Sequence, residues 1–126
     1  GNIDIQTVPA HNLVRMREPG EPYHPKGEGL GYVCTIDDVT IYHAGDTDPL
    51  EEMVNIDADV MLVPIGGSYV MSLQDAYWAL HMVQPEVAIP MHYGHIDDSK
   101  ADASGFESLI EELNEDIGAI IEGRIL

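Results

Sequence analysis

Basic residues are scarce in this chain: five lysines and arginines stand against 23 aspartates and glutamates in 126 residues, a formal charge of −18 at pH 7. That imbalance repels phosphate backbones and anionic headgroups, so neither nucleic acid nor a membrane surface is expected as a partner. Cysteine is nearly missing too. With Cys34 alone no internal disulfide can form, which fits a reducing cytoplasm, and its place in the strand-like run 31–36 suggests a small buried apolar side chain. No apolar run is long enough to span a bilayer, and no signal-peptide pattern opens the chain, so the expected location is cytoplasmic. High net charge is also a mark of disorder, but a hydrophobic content of 44% with clear periodicity argues for a folded domain. A lysine-poor, acid-rich surface suits a high-salt cytoplasm, where screening quenches self-repulsion, and a halophilic source is the expectation.

What is present is apolar segments of two periods. Residues 3–8 alternate as a strand, and 30–36 and 39–42 read as a β-hairpin about Asp37-Asp38. Between them, residues 9–29 are rich in Pro, Gly and charge, a connection long enough to be functional. A short helix is expected at 49–54, with Pro49 in its first turn and Glu51 and Glu52 near its positive end. Residues 59–64 and 86–89 are short apolar strands. They flank a helix opened by Ser72 with Asp75 in capping-box spacing, carrying Leu73, Ala76, Leu80 and Val83 on one face and stopped by Pro85. Ser104 with Glu107 suggests a second capping box, followed by the stripe Phe106, Leu109, Ile110 and Leu113; extended segments at 117–121 and 124–126 close the chain. The class is α/β with a mixed sheet, in one domain over residues 1–126.

Two stretches carry the chemistry. His43-Ala44-Gly45-Asp46-Thr47-Asp48 and Pro90-Met91-His92-Tyr93-Gly94 each place a metal-competent side chain directly after an apolar strand. A carboxylate and an imidazole at neighbouring strand ends suit a divalent ion such as zinc. Alone, Asp46 would read as an Asx-turn residue; its pairing with His92 favours a ligand. His11, at the end of the first strand, is a third ligand candidate. His24 in the long connection and His95 after Gly94 are candidates for contact with substrate. His43 reads as a core histidine or as a support for Asp46, Asp48 as a helix cap, His81 as a surface residue, and Gly66, Gly67 and Tyr69 as pocket lining.

Taken in order, 8–12 (Val-Pro-Ala-His-Asn), 24–27 (His-Pro-Lys-Gly), 42–48, 62–67 and 89–94 resemble the C-terminal half of the metallo-β-lactamase superfamily, in particular its prokaryotic metal-dependent hydrolase branch near ascorbate-6-phosphate lactonase. The resemblance covers nearly the whole chain. It implies half of a four-layer αββα sandwich and a dinuclear zinc, manganese or iron site. Asp46 would be the metal-bridging aspartate and His92 the last histidine ligand. The ligand after the Pro-Ala strand end falls on His11 or on Asn12, in which case His24 would compensate. It also implies a metal-activated hydroxide attacking an ester, lactone, amide or phosphodiester bond of a small-molecule substrate. The family's His-x-His-x-Asp-His motif occurs nowhere in the sequence. The expectation is therefore a metal-dependent hydrolase with part of its site missing, which self-associates or pairs with an N-terminal half. The competing reading is a non-catalytic half-domain acting as an assembly or regulatory partner.

Overall fold

A computed structural model of the chain describes residues 2–94, 102–113 and 116–121, with the backbone of 124–125. The strands expected from alternation are present and longer than the apolar runs: β1 (Ile3–Ala10), β4 (Gly29–Ile36) and β5 (Val39–His43). The connection between β1 and β4 holds a small hairpin, β2 (Met16–Glu18) with β3 (Glu21–Pro22), that its polar composition hid. Further strands are β6 (Val60–Pro64), β7 (Val87–Met91), β8 (Gly118–Ile121) and β9 (Arg124–Ile125). They form a seven-stranded sheet in the order β1-β4-β5-β6-β7-β8-β9. β1, β4 and β5 are antiparallel, β5 through β8 are parallel, and β9 returns antiparallel to β8. Asp37 and Asp38 both take positive φ (46° and 71°), the turn that matches the twist of a two-residue hairpin.

Helix α1 (Leu73–Val83) starts with the expected capping box: the Ser72 hydroxyl accepts from the Asp75 amide, and the Asp75 carboxylate accepts from the Ser72 amide. It ends in a left-handed Gln84 before Pro85. Helix α2 (Ala103–Leu113) differs from expectation at its start. Asp102, not Ser104, accepts the third-position amide, from Gly105 at 2.7 Å, so the Ser104–Glu107 spacing lies inside the helix. The helix expected over 49–54 is a single 3-10 turn, Glu51–Asn55, whose preceding residue, Leu50, makes no side-chain cap.

Both helices cover one face of the sheet. Tyr42, Met61, Val63, Ala88, Ala119 and Ile121 point into that core with Leu80 and Phe106 and are fully or almost fully buried. Strand registry places Ile3, Ile5, Leu30, Tyr32, Ile36 and Val39 together on the opposite face. These six are 40–65% exposed. Val60, Leu62, Val87 and Ile89 continue that face across β6 and β7 and are only half-buried. Strands apolar on both sides are those of a sheet covered on both sides. Cys34 lies on this open face, half-buried rather than in the core. Among the described residues, no helix is long and apolar enough to cross a membrane.

Candidate metal centre

The site forms where β5 and β7 end, at the carboxyl edge of the parallel strands, the usual ligand-binding edge of such sheets. After β5 the chain turns at Gly45 (φ 72°); a Cβ there would lie 2.7 Å from the Leu30 carbonyl oxygen, so only glycine allows the turn that presents Asp46. After β7, His92 itself takes φ 65°. A left-handed histidine costs about 1–2 kcal/mol, supplied here by the pairing of β6 and β7 and by the Ile65 amide, which donates to the Met91 carbonyl at 3.1 Å. Gly66 lets that loop close: a Cβ on it would meet the His92 carbonyl oxygen at 2.8 Å.

These turns bring Asp46 and His92 together, with His92 Nε2 3.2 Å from Asp46 Oδ1. The second oxygen, Oδ2, lies 3.2 Å from His24 Nε2. One carboxylate thus stands between two imidazoles, its side chain 46% exposed and theirs 27% and 28%. Asp46 retains solvent access on its free side. An open cavity of about 640 Å³ lies beside His92, lined also by Met91, Tyr93, Asp102 and Ser104.

His24 arrives on the long connection, which three sets of contacts pin down. The first is Asn12, 5% exposed. Its Oδ1 accepts from the His24 amide at 2.7 Å and faces His24 Nδ1 at 3.1 Å, its Nδ2 donates to the Tyr69 carbonyl at 3.0 Å, and its own amide donates to the His24 carbonyl at 2.9 Å. The second is Asp48, 1% exposed. It does not cap the following turn; it accepts from the amides of Leu13 (2.8 Å) and Val14 (3.1 Å) and from Arg15 Nη1 at 2.6 Å. Arg15 continues to Asp75 through Nη2 at 2.6 Å and to the Gly67 carbonyl through Nε at 3.4 Å. The third is aromatic: Tyr23 meets Tyr69 edge-on with centroids 4.8 Å apart, and Arg17 lies 5.7 Å from the Tyr23 ring.

The other candidates sit differently. His11 is buried at 5% exposure. Its amide donates to the Thr47 hydroxyl (3.1 Å), its carbonyl accepts from the Asp48 amide (2.9 Å), and its Nδ1 lies 3.4 Å from the Asn12 carbonyl; its ring is not among those paired with Asp46. His43 is exposed, not a core residue, and accepts from the Gly45 amide at Nδ1, 3.1 Å away, so it stiffens the turn before Asp46. His81 is exposed on α1 against Trp78. His95 lies outside the described residues. The sequence reading missed Arg15, whose only signal was being one of few cations in an acidic chain.

The donor set is suited to a divalent cation, being two imidazole nitrogens and both oxygens of a carboxylate. It is not closed: among the described residues no group of three or more His, Cys, Asp or Glu side chains is arranged to hold a metal ion by itself. The described residues offer one carboxylate with an imidazole facing each of its oxygens.

Comparison with known proteins gives the family. Residues 1–92 match a family model described as a beta-lactamase superfamily domain. The chain is similar to a UPF0173 metal-dependent hydrolase of Methanopyrus kandleri, 36% identical over 123 residues, covering 94% of this chain and 53% of that protein. It is similar to a second one from Archaeoglobus fulgidus, 34% identical over 125 residues, covering 96% of this chain and 54% of that protein. Its fold is similar to that of a metallo hydrolase from Ignicoccus hospitalis, with a TM-score of 0.76, 30% identity, and coverage of 98% of this chain and 52% of that one. The chain thus spans about half the length of the relatives it matches.

Proposed function

Since the chain belongs to the beta-lactamase superfamily, we propose that it provides one half of the active site of a metal-dependent hydrolase. Asp46, through its two carboxylate oxygens, and His24 and His92, through Nε2, would hold the metal. The observation that carries this reading is the single carboxylate held 3.2 Å from two Nε2 atoms, each facing its own oxygen. Zinc fits these donors, and manganese or iron accept the same set; the two-sided arrangement favours a dinuclear centre. When bound, such ions lower the pKa of water toward neutrality and polarise an acyl or phosphoryl centre. The chain's own residues do the rest. Asp46 sets the spacing of the two sides, and His92 is fixed by its loop. The cavity next to His92 gives a small ester, lactone, amide or phosphodiester room to approach. His11, an expected ligand, serves in this reading as a buried brace between the first-strand exit and Thr47.

The open apolar face supports a partner in the same reading. The face is continuous from β1 to β7, ends at the strand tips that carry the site, and belongs to a chain half as long as its relatives. A second sheet, supplied by the polypeptide corresponding to the rest of those relatives or by another copy, would bury it and bring the missing ligands. The competing reading, a non-catalytic half-domain, predicts no metal binding at Asp46.

Thermal unfolding with added Zn²⁺ or Mn²⁺ tests the proposal. A cation at one hundred times its Kd stabilises by about 2.7 kcal/mol, and Asp46→Ala should remove the Tm rise while leaving the metal-free Tm nearly unchanged, because Asp46 is exposed. An unaltered metal response in Asp46→Ala would refute the assignment.

A further inference from the structure

We infer that Arg17 is a specificity-determining residue that receives the anionic end, a carboxylate or a phosphate, of the substrate; its consequence for hydrolysis rests on the reading above. Positive charge is spread very unevenly along the chain. Residues 12–27 hold Arg15, Arg17 and Lys26, three of the five cations, with only Glu18 and Glu21 against them, a net charge of +1 where the rest of the chain carries −19. This stretch is the connection that delivers His24 to Asp46. Arg15 is engaged inside, with Asp48 and Asp75. Arg17 is exposed, and among the described residues no carboxylate pairs with it.

Its place is nonetheless fixed. The guanidinium carbon lies over the Tyr23 ring, 5.7 Å from the centroid, and Tyr23 meets Tyr69 edge-on at 4.8 Å. Tyr69 belongs to the loop after β6, at the same sheet edge as Asp46 and His92. Tyr23 is the residue before His24, so Arg17 stands one ring and one residue from the imidazole that faces Asp46. A guanidinium set over an aromatic ring engages its face, which leaves the N–H edge to fork onto a carboxylate or phosphate. A −18 chain repels a small anion over its surface at large, and this local reversal of sign is where the anion's charge is accepted. The cavity flanks His92, whereas Arg17 belongs to the His24 side. The substrate therefore lies across the open side of Asp46 with its charged end toward the connection.

An NMR titration of the metal-free chain with inorganic phosphate and, separately, with acetate tests this, at constant ionic strength set by sodium chloride. The signals followed are the Arg17 Nε–H and the Tyr23 amide. At least one anion should give a saturable shift of both; phosphate alone assigns a phosphorylated substrate, and saturation by acetate assigns a carboxylate. Read at the Tyr23 amide, Arg17→Met should weaken binding about fivefold or more, and Arg17→Lys, which keeps the charge without the fork, should weaken it less. Lys26→Met removes an equal charge from the same connection and should change the affinity by less than about twofold, which separates contact from general field. No saturable shift with either anion, undiminished binding in Arg17→Met, or an equal loss in Lys26→Met would overturn the inference. Anion binding at Arg17 in a chain that takes up no Zn²⁺ would support the role of Arg17 and refute the metal reading. Zn²⁺ binding that Asp46→Ala abolishes, in a chain whose Arg17 ignores both anions, would do the reverse.

Discussion

Replacing Arg15 with alanine tests the bracing of the site most severely. Asp48 is 1% exposed, and Arg15 is the cation that faces it, at 2.6 Å. Removing one partner of a buried ion pair costs about 3–5 kcal/mol, because the remaining charge stays in a poorly solvated place. Two features reduce that here. Asp48 keeps the amides of Leu13 and Val14, and Asp75, the other partner of Arg15, is 28% exposed and keeps both Ser72 groups. The expected loss is therefore about 2–3 kcal/mol, a fall in Tm of roughly 10 °C for a domain of this size. Equilibrium unfolding in urea measures it as a lower midpoint at unchanged slope. The double variant Arg15→Met with Asp48→Asn removes both charges and should be more stable than Arg15→Ala alone. A loss below about 0.5 kcal/mol for Arg15→Ala, or a double variant less stable than the single one, would refute the claim that the buried Arg15–Asp48 pair braces the site.

Three further outcomes are expected. Gly66→Ala puts a Cβ within 2.8 Å of the His92 carbonyl oxygen, so it should cost about 1–3 kcal/mol in thermal unfolding and weaken metal-dependent stabilisation through displacement of His92. Burial pushes the Asp75 carboxyl up, but the Ser72 amide and Arg15 more than offset this and hold it below its usual value of 3.8. Its contribution to stability is then complete above that value and lost as pH falls through the lower folded value, and Asp75→Asn should flatten the acid limb of a stability–pH curve. The Tyr42 hydroxyl is buried with no hydrogen-bond partner among the described residues, and burial, together with Glu52, pushes its pKa up. Tyr42→Phe should therefore be neutral or stabilising by up to about 1 kcal/mol, and should lessen the loss of stability that begins as pH rises past the ordinary tyrosine value near 10. Urea unfolding at several pH values checks both.

Much of the architecture is legible from residue order because local chemistry is decisive there. The Ser72–Asp75 box, the apolar strands on both sides of it and the Asp37-Asp38 turn each leave one inexpensive backbone solution. Asp46 and His92 were legible as a pair, since each follows an apolar strand, and parallel strands end on one edge. What escaped was long-range. Ser104 and Asp102 both sit before the same apolar stripe, and only the register of the helix distinguishes them. Asp48 precedes a turn as a capping residue would, yet residues 13–15, over thirty positions earlier, claim its oxygens. The place of His24 beside Asp46 could not be read from spacing, because it depends on the fold of a connection that has no periodicity of its own.

The internal use of Arg15 has a consequence for how the molecule responds to its solvent. One of five cations in a −18 chain is withdrawn to the inside, its side chain 14% exposed, leaving the exterior still more one-signed. Dissolved salt shortens the Debye length from about 8 Å at physiological strength to about 3 Å at 1 M, so it relieves repulsion among surface carboxylates while hardly reaching the enclosed guanidinium. Brine should consequently strengthen this protein where it would loosen one braced by peripheral ion pairs.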